Sequence, residues 1–270
     1  MSAANTQLFF NKGFGKDRIW FWGISRSDMI FWLEDGATRT QLDCDSSGVM
    51  NISGNYVPGS VSTITIQYEN CSYYGSQNIN GTEVVKLISF QDSPTSIEYK
   101  SFLNSISFVY GDEDKQYTIT GRNHVYMDVD TTTEQSLIKL NSNFLYKEEG
   151  SQHQFVKETK YEYVYDFSND SETVVESGSL KDSEVGAVSY KRDGAFEYGN
   201  VDEEHTYTFI GDVTTQLDLK NYEYIKFLLD SDNDGSFEEA AYIGSYYQFE
   251  YADLTNLILA PVDQLSLPPI

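Results

Sequence analysis

Alternation of apolar and polar residues with a period of two runs through most of this chain, and it constrains the fold more than any other feature. Ile64, Ile66 and Tyr68 alternate with polar residues, and further alternating sets are Ile106, Phe108 and Tyr110; Tyr161, Tyr163, Tyr165 and Phe167; Tyr207 and Phe209; Leu217 and Leu219. A period of two places successive side chains on opposite faces of a strand, so each stretch is predicted to be a half-buried strand. Beyond the N-terminal segment the sequence shows no sustained helical period, and a short helical turn is expected only near residues 251–259.

A weak internal repeat pairs a tyrosine near the end of one strand with a glycine in the next. The pairs are Tyr68 with Gly81, Tyr110 with Gly121, Tyr165 with Gly178, and Tyr198 with Gly211. This rhythm indicates a series of hairpins whose second strand bends at the glycine. The predicted fold class is therefore all-β, with antiparallel hairpin repeats that form a sandwich, an open barrel or an extended curved sheet.

The chain divides by composition into three segments. Residues 1–43 are rich in aromatic side chains, residues 44–259 form the repetitive all-β domain, and residues 260–270 form a proline-rich tail that is expected to lack regular structure. The acidic stretch 147–154 is the candidate boundary within the β domain.

All three tryptophans, Trp20, Trp22 and Trp32, lie in the N-terminal segment. Alternation would place Trp20 and Trp22 on one face of a strand, and residues 27–33 fit either a strand or a short helix with Ser27 as its N-cap. The favoured interpretation is that these rings pack into the core and close one end of it. The alternative is an aromatic platform that binds a ligand or a partner.

The charge is strongly unbalanced: 18 basic residues against 42 acidic ones give a net charge of −24. Such a chain repels phosphate backbones and anionic lipid surfaces, so we expect no nucleic-acid partner. Divalent cations and basic partners suit this charge better. No window of 18 apolar residues occurs in the sequence, so no transmembrane helix is predicted.

The sharpest local motif is Asp230-Ser-Asp-Asn-Asp-Gly-Ser-Phe-Glu-Glu. Carboxylates at alternate positions, followed by a glycine that permits a tight turn, can surround one hard cation with oxygen ligands. A structural calcium site is therefore predicted as the only cofactor. Its candidate ligands are Asp230, Asp232, Asp234, Ser236 through its carbonyl, and Glu238 or Glu239.

Two observations limit this interpretation of the motif. An EF-hand loop needs an acid at its twelfth position, which is Ala241 here, so an EF-hand is not expected. Residues 233–235 also form a preferred turn sequence, so a plain hairpin without calcium is the alternative.

Cys44 and Cys71 are the only cysteines in the chain. A disulfide between them would stabilise the fold by about 3–4 kcal/mol for a loop of this length. Two buried free thiols in a reducing compartment are the alternative.

Motifs that would carry catalysis are absent from the sequence. None of His124, His153 and His205 has the spacing of a metal-binding pair, and neither a GxSxG elbow nor a phosphate-binding glycine loop occurs. We therefore assign no catalytic residues and expect a protein that is not an enzyme.

The segments Cys44-Asp-Ser-Ser-Gly48, Asn70-Cys71 and Asn80-Gly81 together resemble a pattern found in exported bacterial β-repeat proteins, many of them lipoproteins. Residues 101–129 and 196–239 share the strand–glycine rhythm of that group. The resemblance implies export and a Cys44–Cys71 bridge, and it brings no catalytic residues.

These observations lead to an expected function and location. We expect a non-catalytic cell-envelope or secreted protein that binds, adheres to or scaffolds an envelope or extracellular partner. The alternatives are a carrier of a hydrophobic ligand in a Tyr/Phe-lined β cavity and an enzyme acting on polysaccharide. The expected location is extracytoplasmic: the periplasm, the outer-membrane surface or the medium.

The first residues, Met1 to Thr6, do not form a signal peptide. They fit a start that follows a removed leader, with a lipid anchor lost along with it, and they equally fit a cytoplasmic protein. The cysteine pair and the resemblance favour export.

Overall fold

A computed structural model describes residues 2–14, 24, 26–73, 76–92, 95–110, 115–184, 186–197, 204–220 and 224–265. Most of these residues lie in strands. The strands are β1 Gln41–Asp43, β2 Ser47–Gly54, β3 Ser62–Tyr73, β4 Ser76–Gln91, β5 Ser96–Tyr110, β6 Lys115–Asp130, β7 Gln135–Glu148, β8 Gln154–Asp166, β9 Ser171–Asp182, β10 Gly186–Glu197, β11 Glu204–Ile210, β12 Thr214–Lys220, β13 Tyr224–Asp230, β14 Glu239–Ile243 and β15 Ala260–Pro261. The helices are α1 Ala3–Gly13, α2 Arg26–Glu34 and α3 Tyr246–Tyr251, and a 3-10 turn spans Val262–Gln264.

The strands are hydrogen-bonded in chain order from β1 to β15, so each strand between these two pairs with the strand before it and the strand after it. The ladders from β1 to β7 and from β10 to β15 are antiparallel. The all-β prediction is confirmed, and among the expected arrangements the extended antiparallel sheet is the one observed.

The chain contains two compact units. The β1–β7 unit comprises Ile19–Lys160 and Asp182–Glu184, and the β9–β14 unit comprises Met1–Arg18, Tyr161–Lys181 and Val185–Ile270. The division therefore falls within β8, and the N-terminal segment contributes to both units. Among the described residues, no helix combines the length and the apolarity needed to cross a bilayer.

In the β1–β7 unit the predicted alternation sets the buried face. Ile64, Ile66 and Tyr68 on β3 are no more than 1% exposed, and so are Ile106 and Phe108 on β5. Their polar neighbours in the sequence point to the other face, as a period of two requires. The strands therefore bury the face that the sequence predicts.

The helix α2 also belongs to the β1–β7 unit, and it settles the choice between strand and helix at residues 27–33. Ser27 is its second residue, so the helix starts before the serine that was expected to cap it. Met29, Trp32 and Leu33 are each at most 3% exposed. The helix therefore contributes its apolar side chains to the core of this unit.

In the β9–β14 unit, α1 and α3 pack together over the sheet. Phe10 of α1 meets Tyr207 and Phe249 edge to face, with ring centroids 5.0 and 5.3 Å apart. The hydroxyls of Thr6 and Thr215 are hydrogen-bonded at 2.9 Å and buried. Edge-to-face pairs and a satisfied buried polar pair hold a short helix that would not be stable alone.

Two terminal elements differ from the sequence-based expectations. α3 precedes the expected turn near residues 251–259, and its start is set by a capping box between Ser245 and Gln248. Ala260 and Pro261 were expected to be irregular, but they pair with β14, and the Val262 N–H donates to the Glu238 carbonyl at 2.9 Å. The free edge of β14 explains this, since it offers backbone partners to any extended segment that reaches it.

Candidate metal centre at the acidic loop

The predicted acidic motif forms the connection between β13 and β14. Asp230 ends β13 and Glu239 begins β14, so the intervening residues 231–238 make a longer loop than a two-residue hairpin. Asn233 and Gly235 have φ values of 59° and 92°. Both residue types adopt the left-handed region at low cost, which is why this sequence can turn here.

The loop brings four carboxylates together. Oxygen atoms of Asp230, Asp232, Asp234 and Glu238 all lie within 4.8 Å of one another. Asp230 is only 2% exposed, whereas the other three are exposed. Among the described residues, no lysine, arginine or histidine side chain forms an ion pair with any of the four. The arrangement therefore concentrates negative charge with an open side toward solvent.

Backbone amides within the loop hold these carboxylates in place. Asp230 accepts from the Asp234 N–H at 3.2 Å and from the Gly235 N–H at 3.0 Å. Glu238 accepts from the Ser231 N–H at 3.0 Å. Each bond uses one lone pair of a carboxylate, so further oxygen capacity remains for a hard cation.

The two remaining predicted ligands are Ser236 and Glu239. The Ser236 N–H donates to Asp234 at 2.7 Å, and Glu239 pairs with Leu229 in the β13–β14 ladder and is not one of the converging acids. Of the alternatives Glu238 and Glu239, the loop thus brings Glu238 to the cluster. Ala241, at the position where an EF-hand needs an acid, is a buried residue of β14.

A second contact fixes the loop to its neighbouring turn. The Asn233 amide donates to the Asp212 carbonyl at 2.9 Å, and the Thr214 hydroxyl donates to the Asn233 side chain at 2.8 Å. Asp212 lies in the turn between β11 and β12, and Thr214 is the first residue of β12. The loop geometry therefore rests on protein contacts, and a cation would add to a turn that already exists.

The predicted cysteine pair forms a disulfide, with Cα atoms 5.5 Å apart. The other residues of the motif that carries the resemblance meet at the same place. Gly48 has a φ of 81°, and a Cβ there would lie 2.2 Å from the Asn70 carbonyl oxygen. The Asn70 N–H donates to the Asn80 side chain at 3.0 Å. We call these residues and the irregular β3–β4 register beside Cys71 the disulfide bulge.

Of the predicted aromatic platform, only Trp32 lies within the described residues; Trp20 and Trp22 lie outside them. Trp32 is 2% exposed, and its indole N–H donates to the Arg39 carbonyl at 2.8 Å. A ring that is buried and hydrogen-bonded in this way is part of the core and leaves no face for a ligand.

One buried carboxyl was not predicted from the sequence. Glu83 on β4 is fully buried, and its Oε2 accepts from the Tyr68 hydroxyl at 2.5 Å and the Ile24 N–H at 2.8 Å. Burial raises the pKa of the Glu83 carboxyl, and these two hydrogen bonds offset only part of that rise. Through its bond to Ile24, Glu83 connects the segment before α2 to the sheet. No local sequence motif predicts this buried carboxyl.

A shallow groove of about 430 Å³ lies on β11–β14. Polar side chains dominate its lining, including Thr206, Gln216, Asp218 and Lys226. Tyr224 and Tyr242 add an edge-to-face pair with ring centroids 5.4 Å apart. A hydrophobic ligand would leave these polar groups desolvated, so the groove does not match a Tyr/Phe-lined carrier cavity.

Comparison with known proteins found no relative of this chain. No protein-family model matches the chain, and neither the curated proteins nor the solved structures gave a match.

Proposed function

We propose that this protein is a non-catalytic cell-envelope or secreted β protein whose sheet serves a binding, adhesion or scaffold role and whose acidic loop holds a structural calcium ion. The observation that carries the proposal is the convergence of Asp230, Asp232, Asp234 and Glu238 within 4.8 Å. Calcium takes six to eight oxygen ligands, and four carboxylates with neighbouring waters provide that number.

Two further features support a location outside the cytoplasm. The Cys44–Cys71 disulfide is the kind of bond that persists in oxidising compartments. The resemblance to exported β-repeat proteins points the same way. Calcium is also available at millimolar concentration outside cells, where sites of modest affinity suffice.

The test is thermal unfolding of the oxidised protein in calcium and in chelator. An ion that binds only the folded state stabilises that state by about 2–3 kcal/mol when the ion concentration is one hundred times the dissociation constant. We expect calcium to raise the melting temperature of the wild type. Asp232→Asn/Asp234→Asn should abolish the rise, because it removes two exposed ligands without disturbing the buried Asp230.

The matched control is Asp43→Asn/Asp92→Asn, which removes two exposed carboxylates outside the loop. It should keep the calcium response of the wild type. An absence of response at millimolar calcium would refute the calcium site, and an equal loss in both double variants would show a nonspecific charge effect.

A further inference from the structure

Two turns of the β1–β7 unit place a histidine and two carboxylates together. His153 lies in the turn between β7 and β8, Asp182 ends β9, and Glu184 lies in the turn that follows. The Ser183 N–H donates to the Gln154 carbonyl at 2.9 Å, and the Gln154 N–H donates to the Ser183 hydroxyl at 2.9 Å. This reciprocal pair holds the two turns side by side.

The side chains of this group converge as the ligands of a metal ion do. His153 Nε2 lies 2.7 Å from Asp182 Oδ2, and one ligand atom from each of His153, Asp182 and Glu184 lies within 4.8 Å of the others. The Asp182 side chain is fully buried and that of His153 is 17% exposed, whereas Glu184 is exposed. Two ligands are thus fixed by packing, and the third reaches in from solvent.

We propose that His153, Asp182 and Glu184 form a binding site for a first-row transition-metal dication, with Zn²⁺ as its best representative. An imidazole nitrogen combined with carboxylate oxygens suits zinc and its neighbours, whereas calcium prefers oxygen alone. Three protein ligands leave a fourth position of a tetrahedral ion open, and the exposure of Glu184 places that position toward solvent.

The proposed ligands His153 and Asp182 have hydrogen-bond partners of the kind that metal ligands have in known sites. Glu148 Oε2 lies 3.4 Å from His153 Nδ1, which is the nitrogen that would not touch the ion. Asp182 Oδ1 accepts from the Glu184 N–H at 2.9 Å. Histidine ligands commonly donate their second N–H to a carboxylate, and ligating carboxylates are themselves hydrogen-bonded.

Binding requires only a small local change. Two ligands of a tetrahedral zinc ion stand about 3.3 Å apart, given metal–ligand distances of roughly 2.0–2.1 Å. His153 Nε2 and Asp182 Oδ2, now 2.7 Å apart, would therefore separate by about 0.6 Å as the ion replaces the proton between them. The exposed Glu184 side chain can move to complete the set.

The chain offers a matched control for the histidine–carboxylate pair. His124 Nε2 lies 2.8 Å from Glu98 Oε1, in the same unit and with nearly the same separation. Among the described residues, no third ligand converges on that pair. A metal site should therefore depend on His153 and not on His124.

The experiment is isothermal titration of the EDTA-stripped full chain with ZnCl₂. We expect one site that His153→Gln and Glu184→Gln each weaken by at least about tenfold, and that His124→Gln leaves unchanged. Asp232→Asn/Asp234→Asn should retain the site, which separates it from the calcium loop. Circular dichroism checks that each variant is folded, and Glu184→Gln changes only an exposed side chain.

Three outcomes would overturn the proposal. They are an unchanged zinc affinity in both His153→Gln and Glu184→Gln, an equal loss in His124→Gln, and loss of zinc binding in Asp232→Asn/Asp234→Asn. The last outcome would place the zinc on the acidic loop. Calcium binding at that loop does not depend on this result, so either proposal can fail while the other stands.

Discussion

The disulfide bulge and the acidic loop both turn the backbone through left-handed residues, yet different forces fix them. Gly48 and Gly235 have φ values of 81° and 92°. A Cβ at Gly48 would lie 2.2 Å from the Asn70 carbonyl oxygen, whereas a Cβ at Gly235 would meet nothing within 4 Å. The bulge is thus held by close packing and a covalent bond, and the loop by hydrogen bonds to carboxylates.

This difference separates a structural motif from a candidate binding motif. In the bulge the motif residues contact each other, since Gly48 packs on Asn70 and the Asn70 N–H donates to the Asn80 side chain. The loop instead leaves three of its four carboxylates exposed. Spare ligand capacity facing solvent is what a metal site needs, and a packed bulge has none.

The largest expected effect comes from removing the covalent part of the bulge. Cys44→Ala/Cys71→Ala opens a loop of 27 residues, which should lower the free energy of unfolding by about 3–4 kcal/mol. Guanidinium denaturation of the oxidised proteins measures the loss. A reductant should lower the stability of the wild type and leave the variant unaffected; equal midpoints for the two oxidised proteins would contradict the expectation.

The next effect tests the steric part of the comparison. Gly48→Ala places a methyl group against backbone and should cost roughly 2–4 kcal/mol. Gly235→Ala is the matched control, because it meets only the cost of a left-handed alanine, about 1–2 kcal/mol. Urea denaturation of both variants gives the two values. Equal losses would mean that close packing does not distinguish the bulge from the loop.

Local patterns in the sequence predict much of the fold. The alternation at residues 64–68 and 207–209 identified buried positions that the structure confirms at 0–6% exposure. The prediction was wrong at Phe167, which lies beyond the end of β8 and is 51% exposed. Helix α1 was missed, although Ser2 caps it and Phe9 and Phe10 are buried. The helix is stabilised by contacts with Thr215, Tyr207 and Phe249, which are distant in the sequence. Local helix propensity cannot predict such contacts.

The same limit applies to the sites. The acidic loop is contiguous in sequence, so its residues could be named in advance, and the carboxylates of Asp230, Asp232, Asp234 and Glu238 converge. His153 and Asp182 are brought together only because their turns are neighbours in the sheet. Without the strand register, nothing in the sequence pairs them, and the spacing of the histidines gives no signal. Glu83 was missed for the same reason.

The last prediction concerns two buried carboxyls, Asp230 of the acidic loop and Glu83 of β4. Both oxygens of Asp230 accept backbone N–H groups, whereas Glu83 Oε1 has no hydrogen-bond partner among the described residues. Burial raises the pKa of Glu83, so the folded protein holds that proton more tightly than the unfolded chain does. Its contribution to stability is complete below the unfolded pKa of about 4.3 and is lost as the pH rises through the folded value.

Glu83→Gln removes this titration and keeps an acceptor oxygen for Tyr68 and Ile24. As the pH rises from 4 to 8, the wild type should lose stability relative to Glu83→Gln, by at most about 1.4 kcal/mol per pH unit because one proton is involved. Urea denaturation across this range measures the difference. Tyr68→Phe removes a donor that favours the charged form of Glu83, so the stability of this variant should keep falling to a higher pH than that of the wild type. Parallel stability curves for the wild type and Glu83→Gln would show that the folded protein does not hold this proton more tightly.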